Sequence, residues 1–136
     1  MRILGIDYGD TRTGLAISDP DEKLAFAIGA VTAKTPERAA ELTREKTAEY
    51  QVEKIVMGLP RNMDGSEGFR AQKTRKFAEL LSVQFPNVPI EFLDERLTTK
   101  AASFYLNETN TRAGKRKASI DTLSAQIILQ DYLDRK

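Results

Sequence analysis

The stretch Arg2-Ile3-Leu4-Gly5-Ile6-Asp7, followed by Tyr8-Gly9-Asp10-Thr11-Arg12 and Thr13-Gly14-Leu15-Ala16-Ile17-Ser18, carries the reading of the fold. Residues 2–7 form an apolar run that ends on an acid and shows no polar alternation. A strand covered on both faces reads this way, because neither side of its pleat meets water. Residues 8–12 are turn-forming, and the run from Thr13 to Ser18 resumes with Leu15 and Ile17 on one face. Strand, turn and strand in so short a space predict an antiparallel pair.

Working outward, Asp19-Pro20-Asp21 marks a second turn, and Leu24, Phe26 and Ile28 then alternate with small residues. This predicts a third strand and an antiparallel meander. Thr35-Pro36 supplies an N-cap and a proline at the first helical position, and Glu37 to Tyr50 is rich in helix formers. Ile55-Val56-Met57-Gly58-Leu59 reads as a buried strand. Glu67 to Gln84 reads as a helix with Phe77, Leu80 and Leu81 on its core side, and Val88, Ile90 and Phe92 alternate toward Asp94-Glu95 as a fifth strand. A short helix is expected after Thr98 and another from about Ser119 to Leu133, with Asn107 to Lys117 between them as a mobile basic loop. The order is β-β-β-α-β-α-β-α-α. Helices between the later strands imply right-handed parallel crossovers, so the expected fold is α/β, one five-stranded mixed sheet in a single domain spanning 1–136.

Composition narrows the chemistry. The 136 residues contain neither Cys nor His, which removes thiol nucleophiles, disulfides, Cys/His zinc sites and histidine general bases together. Catalysis is left to carboxylates, Lys, Tyr, Ser, Thr or a metal held by oxygen. Residues 2–7 turn polar too soon for a signal peptide, and no apolar run approaches a membrane span. A soluble cytoplasmic domain is the expectation. The formal net charge of +1 hides an asymmetry: residues 1–60 carry 8 basic and 10 acidic side chains, and residues 61–136 carry 13 and 10. Arg70, Lys73, Arg75 and Lys76 lie in one stretch free of acids, and Arg112, Lys115, Arg116 and Lys117 lie in another. Clusters of this kind either hold a polyanion or form solvated faces.

Three acids stand out by position. Asp7 ends the most apolar strand, Glu95 follows the fifth strand, and Asp121 opens the last helix. Sites in open α/β sheets gather beyond the carboxyl ends of strands. At helical spacing Asp121 shares a row with Ala125, Ile128 and Tyr132, which should face the sheet. Its alternative is a helix-start acid favoured by the macrodipole. Three carboxylates brought together repel unless a cation joins them, and oxygen-only ligands select Mg²⁺ or Mn²⁺. Two such ions hydrolyse phosphodiesters without histidine.

Around the acids, Gly5 to Gly9 with Arg12 and Gly14 makes either a loop that admits a phosphate or a tight hairpin. Gly58-Leu59-Pro60-Arg61-Asn62-Met63-Asp64-Gly65 is either a substrate loop containing Asn62 or an ordinary strand-to-helix connection. Arg96, beside Asp94 and Glu95, either pairs with Asp94 or meets a substrate phosphate.

Gly5-Ile6-Asp7-Tyr8-Gly9 with Arg12 and Gly14, Gly58-Leu59-Pro60 with Asn62, Asp64 and Gly65, Asp94-Glu95-Arg96-Leu97-Thr98-Thr99, and Asp121 with Ala125, Ile128 and Leu129 together resemble the YqgF (RuvX) family of bacterial nucleases. The resemblance covers essentially the whole chain. It departs at Ser124, where members usually carry a small apolar residue. It implies an RNase H-like fold and an acidic, metal-binding catalytic site at Asp7, Glu95 and Asp121. It further implies Mg²⁺- or Mn²⁺-dependent hydrolysis in 5′-end maturation of pre-16S ribosomal RNA. Arg12, Asn62, Arg96, Arg112, Lys115, Arg116 and Lys117 are the expected nucleic-acid contacts, and a pre-ribosomal particle is an expected partner of a monomer or weak homodimer. Two alternatives stay open: a Holliday junction resolvase acting on branched DNA, and a non-catalytic RNA-binding assembly factor that would have no need of three converging acids.

Overall fold

A computed structural model describes residues 1–94 and the backbone of 113–135, with side chains of the last helix from residue 123. Strands β1 (Arg2–Asp7), β2 (Arg12–Ser18), β3 (Ala25–Thr32), β4 (Val52–Leu59) and β5 (Ile90–Asp94) form one five-stranded sheet in the order β3-β2-β1-β4-β5. The first three pair antiparallel, whereas β1–β4 and β4–β5 are parallel. This is the expected mixed sheet, with β1 at its centre. Helices α1 (Pro36–Lys46) and α2 (Phe69–Gln84) supply the crossovers, and α3 (Ala113–Asp134) covers the other face.

The β1 pleat sorts the core into two layers, as alternating side chains must. Leu4 and Ile6 face α1 and α2 with Ile55, Met57, Phe77 and Leu81. Ile3 faces α3 with Val56, Leu93, Ala125, Ile128 and Leu129. Thr35 caps α1 as expected, its Oγ1 accepting from Arg38 N at 3.2 Å. The helix stops at Lys46 rather than near Tyr50: Thr47 leaves helical backbone values at φ −104°, ψ 10°, and its Oγ1 donates to the carbonyl of Thr43.

One expectation needs correction, and β3 departs from simple alternation. Helix α3 begins at Ala113, not near Ser119, so 113–117 is helical rather than part of a basic loop. Ala113, Lys115, Arg116, Lys117 and Ala118 are good helix formers, but a polar run without apolar periodicity hides a helix from pattern reading. In β3, Phe26 is exposed and Ala25 is buried. Residue Ile28 is an extra residue between the pairs Leu15↔Gly29 and Ala16↔Ala27, so the apolar alternation crosses a bulge. The helix expected after Thr98 lies outside the described residues. Among the described residues no helix is long and apolar enough to cross a membrane.

Candidate active site and nucleic-acid interface

Asp7 is the last residue of β1, paired with Gly14 across the β1–β2 ladder and half-buried. Strand alternation puts it on the face of Ile3 and Gly5, under α3. Gly5 explains how close that helix comes. A Cβ on Gly5 would stand 2.7 Å from Leu129 Cβ and 3.2 Å from the Ala125 carbonyl oxygen. The first glycine of the motif therefore serves helix–sheet packing rather than phosphate approach.

The direction of α3 follows from its contacts. Ala125 and Leu129 meet Gly5, while Tyr132 accepts a hydrogen bond from Lys54, the β4 residue in register with Ile3. The helix thus runs antiparallel to β1. Asp121 is one turn, about 6 Å, ahead of Ala125, and Asp7 is about 6.6 Å beyond Gly5 along the strand. That register brings the turn of α3 containing Asp121 to the level of Asp7. Ala125 and Ile128 of the predicted row are buried against the sheet, and Tyr132 packs beside them.

Two glutamines lock this placement. Gln126 Nε2 donates to the Ala25 carbonyl at 2.9 Å, and Ala25 N donates to Gln130 Oε1 at 2.9 Å. They satisfy the start of β3, an edge strand that would otherwise leave these groups to water. Lys54 Nζ also pairs with Glu91 at 2.9 Å. The hydrogen bond to Tyr132, followed by that to Glu91, raises the Lys54 pKa above its ordinary value.

The second glycine, Gly9, belongs to the β1–β2 turn. A Cβ there would sit 2.4 Å from the Arg12 carbonyl oxygen, so the turn closes tightly at glycine. Arg12 opens β2 and is half-buried. Asn62 organises the loop after β4. Its N–H donates to the Ser66 carbonyl at 2.9 Å, its Nδ2 to Ser66 Oγ at 3.0 Å, and Ser66 Oγ to Asp64 Oδ1 at 2.6 Å. Its amide also lies against Gly68. Lys115, Arg116 and Lys117 fall in the opening turns of α3. Glu95, Arg96 and Arg112 lie outside the described residues, as does the side chain of Asp121; among the described residues no three acids cluster as a metal site.

On the opposite face the sheet end opens differently. Tyr8 stacks on Phe77 with ring centroids 4.3 Å apart. Burial, with Asp10 and Glu37 nearby, raises the Tyr8 pKa, so the phenol stays protonated at neutral pH. Tyr8, Asp10, Thr11, Lys34, Lys73 and Lys76 line a cleft of about 580 Å³. A small adjoining cleft shares Tyr8, Asp10 and Lys73 and adds Arg70, which also lines a third of about 250 Å³ with Arg61 and Asn62. Lys73 pairs with Asp10 at 3.2 Å and lies over the Phe69 ring. Arg75, from the same basic stretch, points elsewhere: its guanidinium grips Glu67 through bonds of 2.6 and 2.7 Å and lies over Phe92. Sequence reading missed Lys34 because it stands alone in the chain and only the fold brings it beside α2.

The family model described as "RuvX: Holliday junction resolvase" matches residues 1–135. Among curated relatives, a protein of Halothermothrix orenii named "Putative pre-16S rRNA nuclease" is 45% identical over 98% of this chain and 95% of its own. One of Acetivibrio thermocellus with the same name is 42% identical over 100% of this chain and 97% of its own. Solved structures share the fold at low identity. Thermus thermophilus RuvC in complex with Holliday junction substrate aligns with a TM-score of 0.62 at 17% identity, covering 99% of this chain and 94% of that one. The Fowlpox virus resolvase with Holliday junction DNA aligns at 0.61 and 10% identity, covering 99% and 98%. The sheet and helices are thus those of the RuvC-like RNase H fold.

Proposed function

The chain belongs to the RuvX family, and from that premise we propose that it is a metal-dependent endonuclease. Its substrate is precursor 16S ribosomal RNA, cut at a phosphodiester during 5′-end maturation in the cytoplasm. The chain works as one domain, as a monomer or weak homodimer on a pre-ribosomal particle.

The observation that carries this reading is the register of α3 on β1, which aligns the Asp121 turn with Asp7. Glu95 is the third acid, two residues after Leu93, whose side chain packs on the α3 face. Hard carboxylate oxygens in a chain without Cys or His fit Mg²⁺ or Mn²⁺ and fit a softer metal poorly. A divalent ion held there supplies Lewis acidity and an activated water. Asp7, Glu95 and Asp121 hold and orient it, and like-charge repulsion among them is relieved when it binds. Arg12, Asn62, Arg96, Arg112, Lys115, Arg116 and Lys117 meet the substrate strand, most of them through backbone phosphates, which gives position rather than sequence choice.

Cleavage of precursor RNA by wild type and Asp7→Asn, with EDTA and then added Mn²⁺ or Mg²⁺, tests the assignment. Asp7→Asn should lower the rate by about 10²–10³, the scale on which a charge-stabilising group acts in a preorganised site, and leave the fold intact. Cleavage at the wild-type rate by clean Asp7→Asn protein, or cleavage in EDTA, would overturn it. The family description and the junction-bound relatives favour a second substrate, branched DNA. Selective, paired nicking of a four-way junction with precursor RNA left uncut would replace the first reading with this one.

A further inference from the structure

We propose that the cleft system on the α1/α2 face is a second backbone-phosphate track, carrying substrate strand past the end of β1 onto the side of the sheet opposite Asp7. The inference rests on the nuclease reading and extends it to the face of the sheet opposite Asp7. Asp7 and Tyr8 are neighbours in sequence, yet Asp7 lies under α3 whereas Tyr8 packs on Phe77 of α2. A strand threaded over the sheet end therefore meets Asp7 on one side and the clefts on the other.

Charge points to the ligand class. Lys34, Arg70 and Lys76 line the connected clefts, and none has an ion-pair partner among the described residues. Arg61, which lines the third cleft, is instead paired with Glu67. Asp10 neutralises Lys73, and Glu37 lies near enough to act on Tyr8, so the clefts keep an excess of positive charge. The protonated Tyr8 phenol and the Thr11 hydroxyl add neutral donors at the wall. Cations beside hydroxyl donors suit phosphodiester oxygens. The continuity of the clefts through shared Tyr8, Lys73 and Arg70 favours an extended strand over a single mononucleotide.

The test uses the full chain in the Asp7→Asn background, so that RNA stays whole during titration. Binding of a fluorescent single-stranded RNA of about 20 nucleotides is followed by anisotropy across a range of NaCl concentrations. Each single-strand phosphate contact contributes about 0.7 to the slope of log K against log salt. The triple variant Lys34→Gln/Arg70→Gln/Lys76→Gln should therefore lose about 2 from that slope. A control, Lys23→Gln/Arg135→Gln, removes charge at the other end of the sheet and should keep the wild-type slope. With Asp7 restored, the triple variant should still cleave, with the loss falling on KM rather than kcat.

An unchanged slope in the triple variant, with RNA binding and cleavage retained, overturns this track and leaves the nuclease reading standing. Thermal stabilisation of wild type but not of the triple variant by AMP or inorganic phosphate, with no change in the RNA slope, also overturns it in favour of a small-anion site. Absence of RNA binding by every form, wild type included, removes the precursor-RNA reading and the track together.

Discussion

On one face of the sheet α3 lies so close to β1 that only glycine fits at position 5, with Leu129 Cβ and the Ala125 carbonyl where a side chain would be. On the other face the layer is thick: Phe77 is fully buried and stacked on Tyr8, with Met57, Leu81 and Phe85 behind it. The thin face sets a helix in register with a strand, bringing the backbone turn of α3 that contains residue 121 to the level of the end of β1. The thick face supplies bulk burial and holds the cationic clefts at its rim. Positioning demands a short, unforgiving contact, whereas stability comes from area removed from water, and this fold assigns the two tasks to opposite sides of one strand.

Substitutions separate the tasks. Phe77→Ala should have the largest effect on stability, about 3–5 kcal/mol by urea denaturation, because it leaves a cavity and unstacks Tyr8. If activity per folded molecule fell as steeply, the thick face would be serving the site directly. Gly5→Val should cost about 1–3 kcal/mol by forcing α3 outward, yet reduce cleavage far more than that loss of folded protein explains. Cleavage unchanged in folded Gly5→Val would mean that the α3–β1 distance does not matter to the acids. Thr35→Ala, remote from both, should cost about 1 kcal/mol through the lost α1 cap and leave cleavage alone.

The smallest effects are those of pH. The Glu67 carboxyl is held below its ordinary pKa of 4.5 by its hydrogen bonds to Arg75. Its contribution is complete above pH 4.5 and is lost as pH falls through the lowered folded-state value, so Glu67→Gln should flatten the acid limb of a Tm–pH profile slightly. Lys54 behaves in the opposite sense. With its pKa raised above 10.5 by Tyr132 and Glu91, its contribution is complete below 10.5 and is lost as pH rises through the raised value. Tyr132→Phe should therefore soften the alkaline limb. Profiles that overlay wild type would assign these exposed and half-exposed pairs no measurable role in stability.

Much of this was legible in residue order because the signals are local. The apolar run at 2–7, the proline after Thr35 and the alternation at Ile90 and Phe92 each report on a few neighbours, and each element stands where they put it. Where the signal was local but ambiguous, reading slipped: the basic turns of α3 at 113–117 lack apolar periodicity. The candidate site was legible only as a set of positions. Asp7 at a strand end and the Ala125–Ile128 row follow from spacing, and both stand in the fold as read.

Residue order thus determined the element types, the mixed sheet and the absence of histidine or thiol chemistry, since backbone propensity and side-chain inventory are properties of short stretches. The tertiary structure supplied the rest: that Gly5 serves Leu129, that Asn62 ties its own loop through Ser66, that Arg75 leaves its basic cluster for Glu67, and that Lys34 joins that cluster across the clefts. Each of these is a meeting of groups far apart in the chain or a choice among several available partners. Such meetings depend on how helices settle on a sheet, which packing settles and composition does not.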